Sequence, residues 1–350
     1  MLKKLIIFVL PVIIIAAAII FLVIPSPLDD TGYKSEVIIT NLDTPWAIAF
    51  LPDDRMIFTE RGGKVKIWNG VQVIDVGNID VKEVSESGLL GIAVDPDYNK
   101  NKYIYLYYTS QNNGNRVSRF HIKDNNLTDE TVLMDNIPSS GIHNGGRIKF
   151  GPDGKLYIAT GDAGDEPLAQ DINSLAGKIL RINKDGSIPD DNPFGNYVYS
   201  YGHRNPQGIT WDTSNGLMYA SEHGSTRNDE INIIEKGGNY GWPIVQCDST
   251  TDQYINPLRC FNEFTLAPSG ITFYENSIFV TGLRGNQLRR LILDSSGNKI
   301  ISEEEIFNNL GRIRDVVEYK GYLYIATSNR DGRGVPKIDD DKIIRIKTVN

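Results

Sequence analysis

The chain carries four histidines in 350 residues, and the setting of each narrows what it can do. His143 lies in Ser139-Ser-Gly-Ile-His-Asn-Gly-Gly146, a glycine-flanked loop without an apolar pattern. Imidazole titrates near neutrality, so a loop histidine is a candidate general base. Asp162, in Gly161-Asp-Ala-Gly164, ends the second strand of the same unit. A hairpin can return that carboxylate to the loop cluster, where it would orient and polarise the imidazole. The competing reading is an aspartate that bonds only to its own turn. His203, in Tyr201-Gly-His-Arg-Asn-Pro-Gln-Gly208, is either catalytic or a spacer packed beneath Arg204. His121 falls in the alternating stretch Ser118-Arg-Phe-His-Ile122 and reads as structural.

Arginines supply the second constellation. In Gly311-Arg-Ile-Arg-Asp315, Arg312 and Arg314 are two residues apart and share a strand face. With Arg204 and Arg284 they could gather four guanidinium groups at one mouth. Guanidinium forks match carboxylates, so a polycarboxylate is the expected ligand, with internal salt bridges as the alternative. Ser221-Glu-His-Gly-Ser-Thr-Arg-Asn-Asp-Glu230 and Gly237-Gly-Asn-Tyr-Gly-Trp-Pro243 offer carboxylates and glycine-freed carbonyls. Such hard oxygen donors suit calcium, although the spacing is not that of an EF-hand.

A repeated unit must position these residues. A strand, a turn and a second strand recur along the chain, as in Gly146-Arg-Ile-Lys-Phe-Gly-Pro-Asp-Gly-Lys-Leu-Tyr-Ile-Ala-Thr160 and Gly208-Ile-Thr-Trp-Asp-Thr-Ser-Asn-Gly-Leu-Met-Tyr-Ala220. Anchors at Ile48, Ile92, Ile148, Ile209, Ile271 and Val317 are spaced 44, 56, 61, 62 and 46 residues apart. Each copy alternates with period two, and most are followed by another strand such as Lys178-Ile-Leu-Arg-Ile182. Units of this length with several strands each predict an all-β, six-bladed β-propeller over residues 41–350. Its long loops, near residues 135–146, 161–177, 183–207 and 221–262, are where a site belongs. Residues 26–40 read as a linker, to which a strand completing the last blade could be added.

Composition sets the surroundings. The net charge is −8, and Lys3 and Lys4 are the only charges before Asp29, so the remainder carries −10. A surface that acidic repels phosphate backbones and argues against nucleic-acid binding. The uncharged run from Leu5 to Pro25 would span about 31 Å as a helix, the thickness of a hydrocarbon core. Two lysines before it predict a single-pass transmembrane signal-anchor over residues 1–25, with the rest of the chain outside the cytoplasm. A cleaved signal peptide is the alternative. Outside the cytoplasm, Cys247 and Cys260, the only two cysteines, are expected to form a disulfide.

On these residues the sequence resembles the glucose/sorbosone dehydrogenase family, the quinoprotein-type aldose sugar dehydrogenases that use pyrroloquinoline quinone (PQQ). The likeness runs from about Thr44 to Ile346 and is carried by seven motifs in order. They are Ser87-Gly-Leu-Leu-Gly91, His143-Asn-Gly-Gly-Arg147, Gly161-Asp-Ala-Gly164, Tyr201-Gly-His-Arg-Asn-Pro-Gln-Gly208, Ser221-Glu-His-Gly224, Asp229-Glu-Ile-Asn232 and Gly237-Gly-Asn-Tyr-Gly-Trp-Pro243. The resemblance implies oxidation of an aldose at C1 to a lactone, with electrons passing on to an external acceptor. It implies His143 as base, oriented by Asp162. It implies Arg284, Arg312 and Arg314 on the PQQ carboxylates, and Arg204 and Asn205 on the quinone oxygens. Calcium would be held through carbonyls near Gly224 and Ser225, and a second, structural calcium by Glu230 and Tyr240. Glu86 stands where relatives place a cofactor-facing glutamine, and is expected to be protonated or turned away from the cofactor. Arg284 replaces a lysine of many relatives, and Ile142 an aspartate of the glucose enzymes. The alternative to an enzyme is a propeller that binds a protein or glycan. A calcium-dependent lactonase would need carboxylate and asparagine ligands distributed one per blade, which the chain does not offer.

Overall fold

A computed structural model describes residues 32–112 and 114–348. Its strands form six four-stranded antiparallel sheets. The first blade comprises Pro45–Phe50, Met56–Glu60, Lys64–Trp68 and Val73–Asn78, and the second Leu89–Val94, Tyr103–Thr109, Gly114–Lys123 and Asn126–Pro138. Ile148–Phe150, Leu156–Thr160, Lys178–Ile182 and Val198–Tyr201 make the third, and Pro206–Trp211, Met218–Glu222, Asp229–Ile233 and Arg259–Phe261 the fourth. The fifth is Pro268–Tyr274, Ser277–Gly282, Gln287–Leu293 and Ile300–Phe307. The sixth takes Ile313–Tyr319, Tyr322–Thr327 and Ile343–Thr348 from the end of the chain and Tyr33–Ile39 from its start. Tyr33–Ile39 therefore falls inside the segment expected as a linker, and it is the closing strand, antiparallel to Ile343–Thr348. The expected transmembrane segment lies outside the described residues, and no helix among those described is long and apolar enough to cross a membrane.

The first strands of the six blades pack side by side around one axis. The glycine that opens most repeats explains how closely. A Cβ on Gly91 would stand 2.2 Å from the Gly146 carbonyl of the next blade, and one on Gly208 2.1 Å from Ile271. Only a residue without a side chain lets these backbones approach so near. Apolar residues of alternating positions then fill the space between blades, with Leu106, Ile158, Ile231, Leu291 and Ile325 among those fully buried.

Five of the six inner strands carry a register shift at their first residues, for example between Ile313 and Asp315. Bulges of this kind re-aim side chains at the rim of a closed sheet. Beneath that rim the axis is plugged. Arg147 pairs with Asp315 at 3.0 Å, and Trp46 lies under the guanidinium groups of both Arg147 and Arg314. A cavity of 320 Å³ lined by Phe50, Val94, Phe150 and Tyr319 opens on the opposite face. Inner strands run away from the mouth and second strands return to it, so the loops after second strands converge there.

Candidate active site

His143 and Asp162 meet at the mouth of the third blade. The imidazole Nδ1 lies 2.7 Å from Asp162 Oδ1, with the histidine side chain 14% exposed and the aspartate fully buried. Burial alone would raise the Asp162 carboxyl. Hydrogen bonds from His143, from the Gly164 N–H at 2.7 Å and from the Trp242 indole N–H at 2.8 Å outweigh it and hold the group below its ordinary range. An ionised Asp162 accepts a hydrogen bond from Nδ1–H, which leaves the lone pair on Nε2, a nitrogen without a partner among the described residues. The pair is therefore set up as an oriented base.

The backbone of His143 is held separately. Its φ is 55°, in the left-handed region, and its N–H donates to Glu86 Oε2 at 2.9 Å. Glu86 Oε1 pairs with Arg333 Nη1 at 2.7 Å. Burial would again raise this carboxyl, but Arg333 and the His143 N–H bring it below its usual range. Of the two expectations for Glu86, the contacts answer to the second: the carboxyl is turned onto Arg333, which holds it below its usual range.

Around this base lies a cluster of guanidinium groups. Arg312 sits on Asp331, with Nε and Nη2 both 2.8 Å from Oδ2, and its Nη1 donates to the Leu283 carbonyl at 3.0 Å. Arg314 donates to Gln207 Oε1 at 2.7 Å, and its Nε is buried without a partner. Burial and the like charges of Arg312 and Arg61 push Arg314 down to about 9, against the pull of Asp331. A guanidinium keeps its proton at working pH, so the depression records above all the cost of burying this charge, which an anion beside it would relieve. Arg284 is exposed on the same rim. The internal ion pair that competes with a ligand is thus realised closely at Arg312 and more loosely at Arg314, whose Nη2 lies 3.7 Å from the same Asp331 oxygen, while Arg284 is exposed.

Arg204 lies 5.2 Å above the Trp242 ring, with its Nε buried and unpaired. Its Nη1 donates to two carbonyls, those of His223 at 3.2 Å and of Gly224. Asn205 Oδ1 accepts from the Gly145 N–H at 3.0 Å and so fixes the glycine loop that follows His143. His203 is fully buried between Ser200 Oγ and Glu222 Oε2 and stacks on Tyr240, which settles it as structural. His121 lies in the strand Gly114–Lys123, as its alternation implies.

The residues present suit a polyanionic cofactor, because three buried nitrogens around the mouth, Arg204 Nε, Arg314 Nε and His223 Nε2, lack partners. They also suit a hard cation. The His223 and Gly224 carbonyls converge on one cationic group, the Arg204 guanidinium. Beside them Ser225 is fixed through Oγ and N–H to Gln246 Oε1. At the second expected calcium position Glu230 is buried beside Glu222, and burial with that neighbouring charge pushes it up to about 8. Tyr240 lines the same small cavity, but its hydroxyl is committed to the Ile233 carbonyl at 2.7 Å. Among the described residues no three histidine, cysteine, aspartate or glutamate side chains gather as metal ligands, so any cation would depend largely on carbonyl oxygens. The Cys247–Cys260 disulfide pins the loop whose Cys247 N–H donates to Glu230 at 2.6 Å.

The contacts join into a closed circuit. Leu283 O, Arg312, Asp331, Arg333, Glu86, His143, Asp162, Trp242, Arg204 and Gly224 follow one another around the mouth. Asp229 completes it, accepting from Gly224 N–H at 3.0 Å and from the Leu266 and Ala267 N–H groups at 2.8 Å, beside Leu283. Asp331, Arg333, Arg61 and His223 were not among the expected site residues. Their signal was position within the repeat, since each follows a second strand, as Asp162 does.

Comparison with known proteins places this arrangement. The model of the glucose/sorbosone dehydrogenase family matches residues 42–343. Aldose sugar dehydrogenase YliI of Escherichia coli is 33% identical over 337 residues, covering 85% of this chain and 90% of that protein. Quinoprotein glucose dehydrogenase B of Acinetobacter calcoaceticus is 37% identical over 254 residues, 61% of this chain and 53% of its own length. The PQQ-bound structure of aldose sugar dehydrogenase from Streptomyces coelicolor superposes with a TM-score of 0.86 at 36% identity, covering 91% of this chain and 98% of that one.

Proposed function

The chain belongs to the glucose/sorbosone dehydrogenase family, and from that premise we propose that it is a PQQ-dependent oxidoreductase that converts aldose sugars at C1 to the lactone. The observation that carries the reading is the His143–Asp162 pair, 2.7 Å apart, facing arginines whose buried N–H groups lack partners. When bound, PQQ supplies a two-electron quinone acceptor and calcium beside it a Lewis acid.

The chain's own residues do the rest. His143 Nε2 removes the proton of the anomeric hydroxyl, and loss of the C1 hydride with that proton leaves a lactone. Asp162 stays ionised, holding Nδ1–H in place and stabilising the imidazolium that forms. Arg284, Arg312 and Arg314 would hold the cofactor carboxylates, with Asp331 sharing Arg312. Arg204 and Asn205 would face its quinone oxygens, Arg204 opposing negative charge as it develops. Carbonyls near Gly224 and Ser225 would hold the catalytic calcium, and Glu230 with Tyr240 a structural one. Ile142, 42% exposed beside the base, lines the entry with an apolar group and suits sugars other than those an aspartate there would select. We place the propeller outside the cytoplasm, tethered by the apolar segment 5–25 and passing electrons to an external acceptor.

The test adds PQQ and calcium to the purified cofactor-free protein and follows aldose-dependent reduction of an artificial acceptor. Activity that needs both additions, and that His143→Ala abolishes while PQQ binding persists, is the expected result. Absence of PQQ binding would overturn the reading and favour a propeller that binds a protein or glycan.

A further inference from the structure

We propose that Arg333 is a positioning residue for the base: together with Glu86 it locks the backbone of His143 into its working conformation from the far side of the ring. His143 adopts φ 55°, a backbone conformation that a residue bearing a Cβ keeps only where its neighbours impose it. Its carbonyl accepts from Ala163 N–H at 3.1 Å, within its own blade. Its N–H has one acceptor, Glu86 Oε2 at 2.9 Å, in the loop entering the second blade. That carboxylate does not stand by itself. Arg333 holds Oε1 at 2.7 Å through Nη1 and reaches Ser85 Oγ at 3.1 Å through Nη2.

Arg333 comes from the loop after the second strand of the sixth blade, 247 residues away in sequence from Glu86. Its own backbone is anchored where the arginine cluster begins. The Arg333 N–H donates to Asp331 Oδ1 at 2.9 Å, and Asp331 Oδ2 carries Arg312 at 2.8 Å. Asp162 therefore fixes the imidazole ring, whereas Arg333 and Glu86 fix the backbone that bears it. Because Asp331 also holds Arg312, occupancy of the arginine cluster and the pose of the base share one mechanical link. Without Arg333, the Glu86 carboxylate loses its counter-charge and can leave the His143 N–H. A glutamine at position 86 would still accept that N–H yet carry no charge needing Arg333.

The kinetic arm of the test rests on the sugar-dehydrogenase reading; a second arm does not. In Arg333→Ala, kcat is expected to fall about ten- to a hundredfold with sugar KM nearly unchanged, the size of loss that a displaced reacting group brings. Adding Glu86→Gln to Arg333→Ala should recover most of that loss, which a purely stabilising role for Arg333 would not produce. Independently, hydrogen exchange of the cofactor-free full chain should show the His143 amide protected in the parent, faster in Arg333→Ala and protected again in the double variant. If exchange at His143 is unchanged by Arg333→Ala, or the double variant is no better than the single one, the proposal is overturned. If the parent shows no turnover at all, the enzyme reading fails while the exchange arm still decides the positioning role.

Discussion

His143 is gripped twice, through its ring and through its backbone, and the two grips fail differently. Asp162→Asn keeps the volume but offers a neutral amide, which neither fixes the Nδ1–H tautomer nor stabilises imidazolium. We expect kcat to fall on the order of 10²–10⁴-fold with little change in KM and with the melting temperature nearly kept; steady-state kinetics beside a thermal melt would check it. Arg314→Ala should act on the other quantity. The substitution also removes the bond to Gln207, but the quantity to read is PQQ affinity, which should drop at least tenfold in a binding titration. At this scale the sequence was informative about residues carried by motifs. His143, Asp162, Arg204 and Asn205 sit in glycine-rich runs whose composition already marks them as loops. Their partners were not legible, because Glu86 to Arg333 and Asp162 to Trp242 are contacts between blades, 247 and 80 positions apart in sequence, and a single chain offers no trace of who meets whom.

Within the third blade, the loop carrying Asp162 depends on a lysine that does no chemistry. Lys178 Nζ is buried and donates to the Leu168, Ala169 and Ala176 carbonyls at 2.7, 2.9 and 2.6 Å. Lys178→Met would remove this donor from all three carbonyls and leave only those of Leu168 and Ala169 with backbone N–H partners, at a cost of about 2–4 kcal/mol by urea denaturation. The pH dependence has a definite sign. Burial lowers this ammonium to about 7 from 10.5, only partly offset by Asp171. Between those values the unfolded chain binds a proton that the folded chain lacks, so this site's contribution rises with pH and is lost as pH falls through about 7. The stability gap between parent and Lys178→Met should therefore widen from about pH 7 to about pH 9.5; a constant gap would refute the assignment. Inner strands were legible from their glycine-opened, period-two repeats. The outermost strands were not. Arg259–Phe261 is three residues long and Val198–Tyr201 four, too short to show a period, and they exist because the neighbouring strand offers an unpaired edge.

For the whole molecule, closure of the ring is the dominant constraint. The sixth blade borrows Tyr33–Ile39 from the start of the chain, pairing Ser35 with Ile346 and Val37 with Ile344. Deleting residues 32–39 would expose the edge of Ile343–Thr348, an open template for pairing with another chain. Such a variant should melt at lower temperature and elute from size exclusion as concentration-dependent oligomers. The six-fold count was legible because spacing between anchors survives long insertions. The closing strand was legible only as an addition to a linker, without bounds, since one strand without its hairpin partner looks like any extended segment.

That same closure decides how the protein can be attached to anything else. Tyr33 and Thr348 face each other across one ladder, at the end of the sixth blade that points away from the arginines and His143. A tether at either end thus leaves from one spot on the molecule's underside. Fused to a carrier, fixed to a bead or wired to an electrode through these ends, the propeller would stand with its opening turned outward to the solution, where sugar and oxidant arrive.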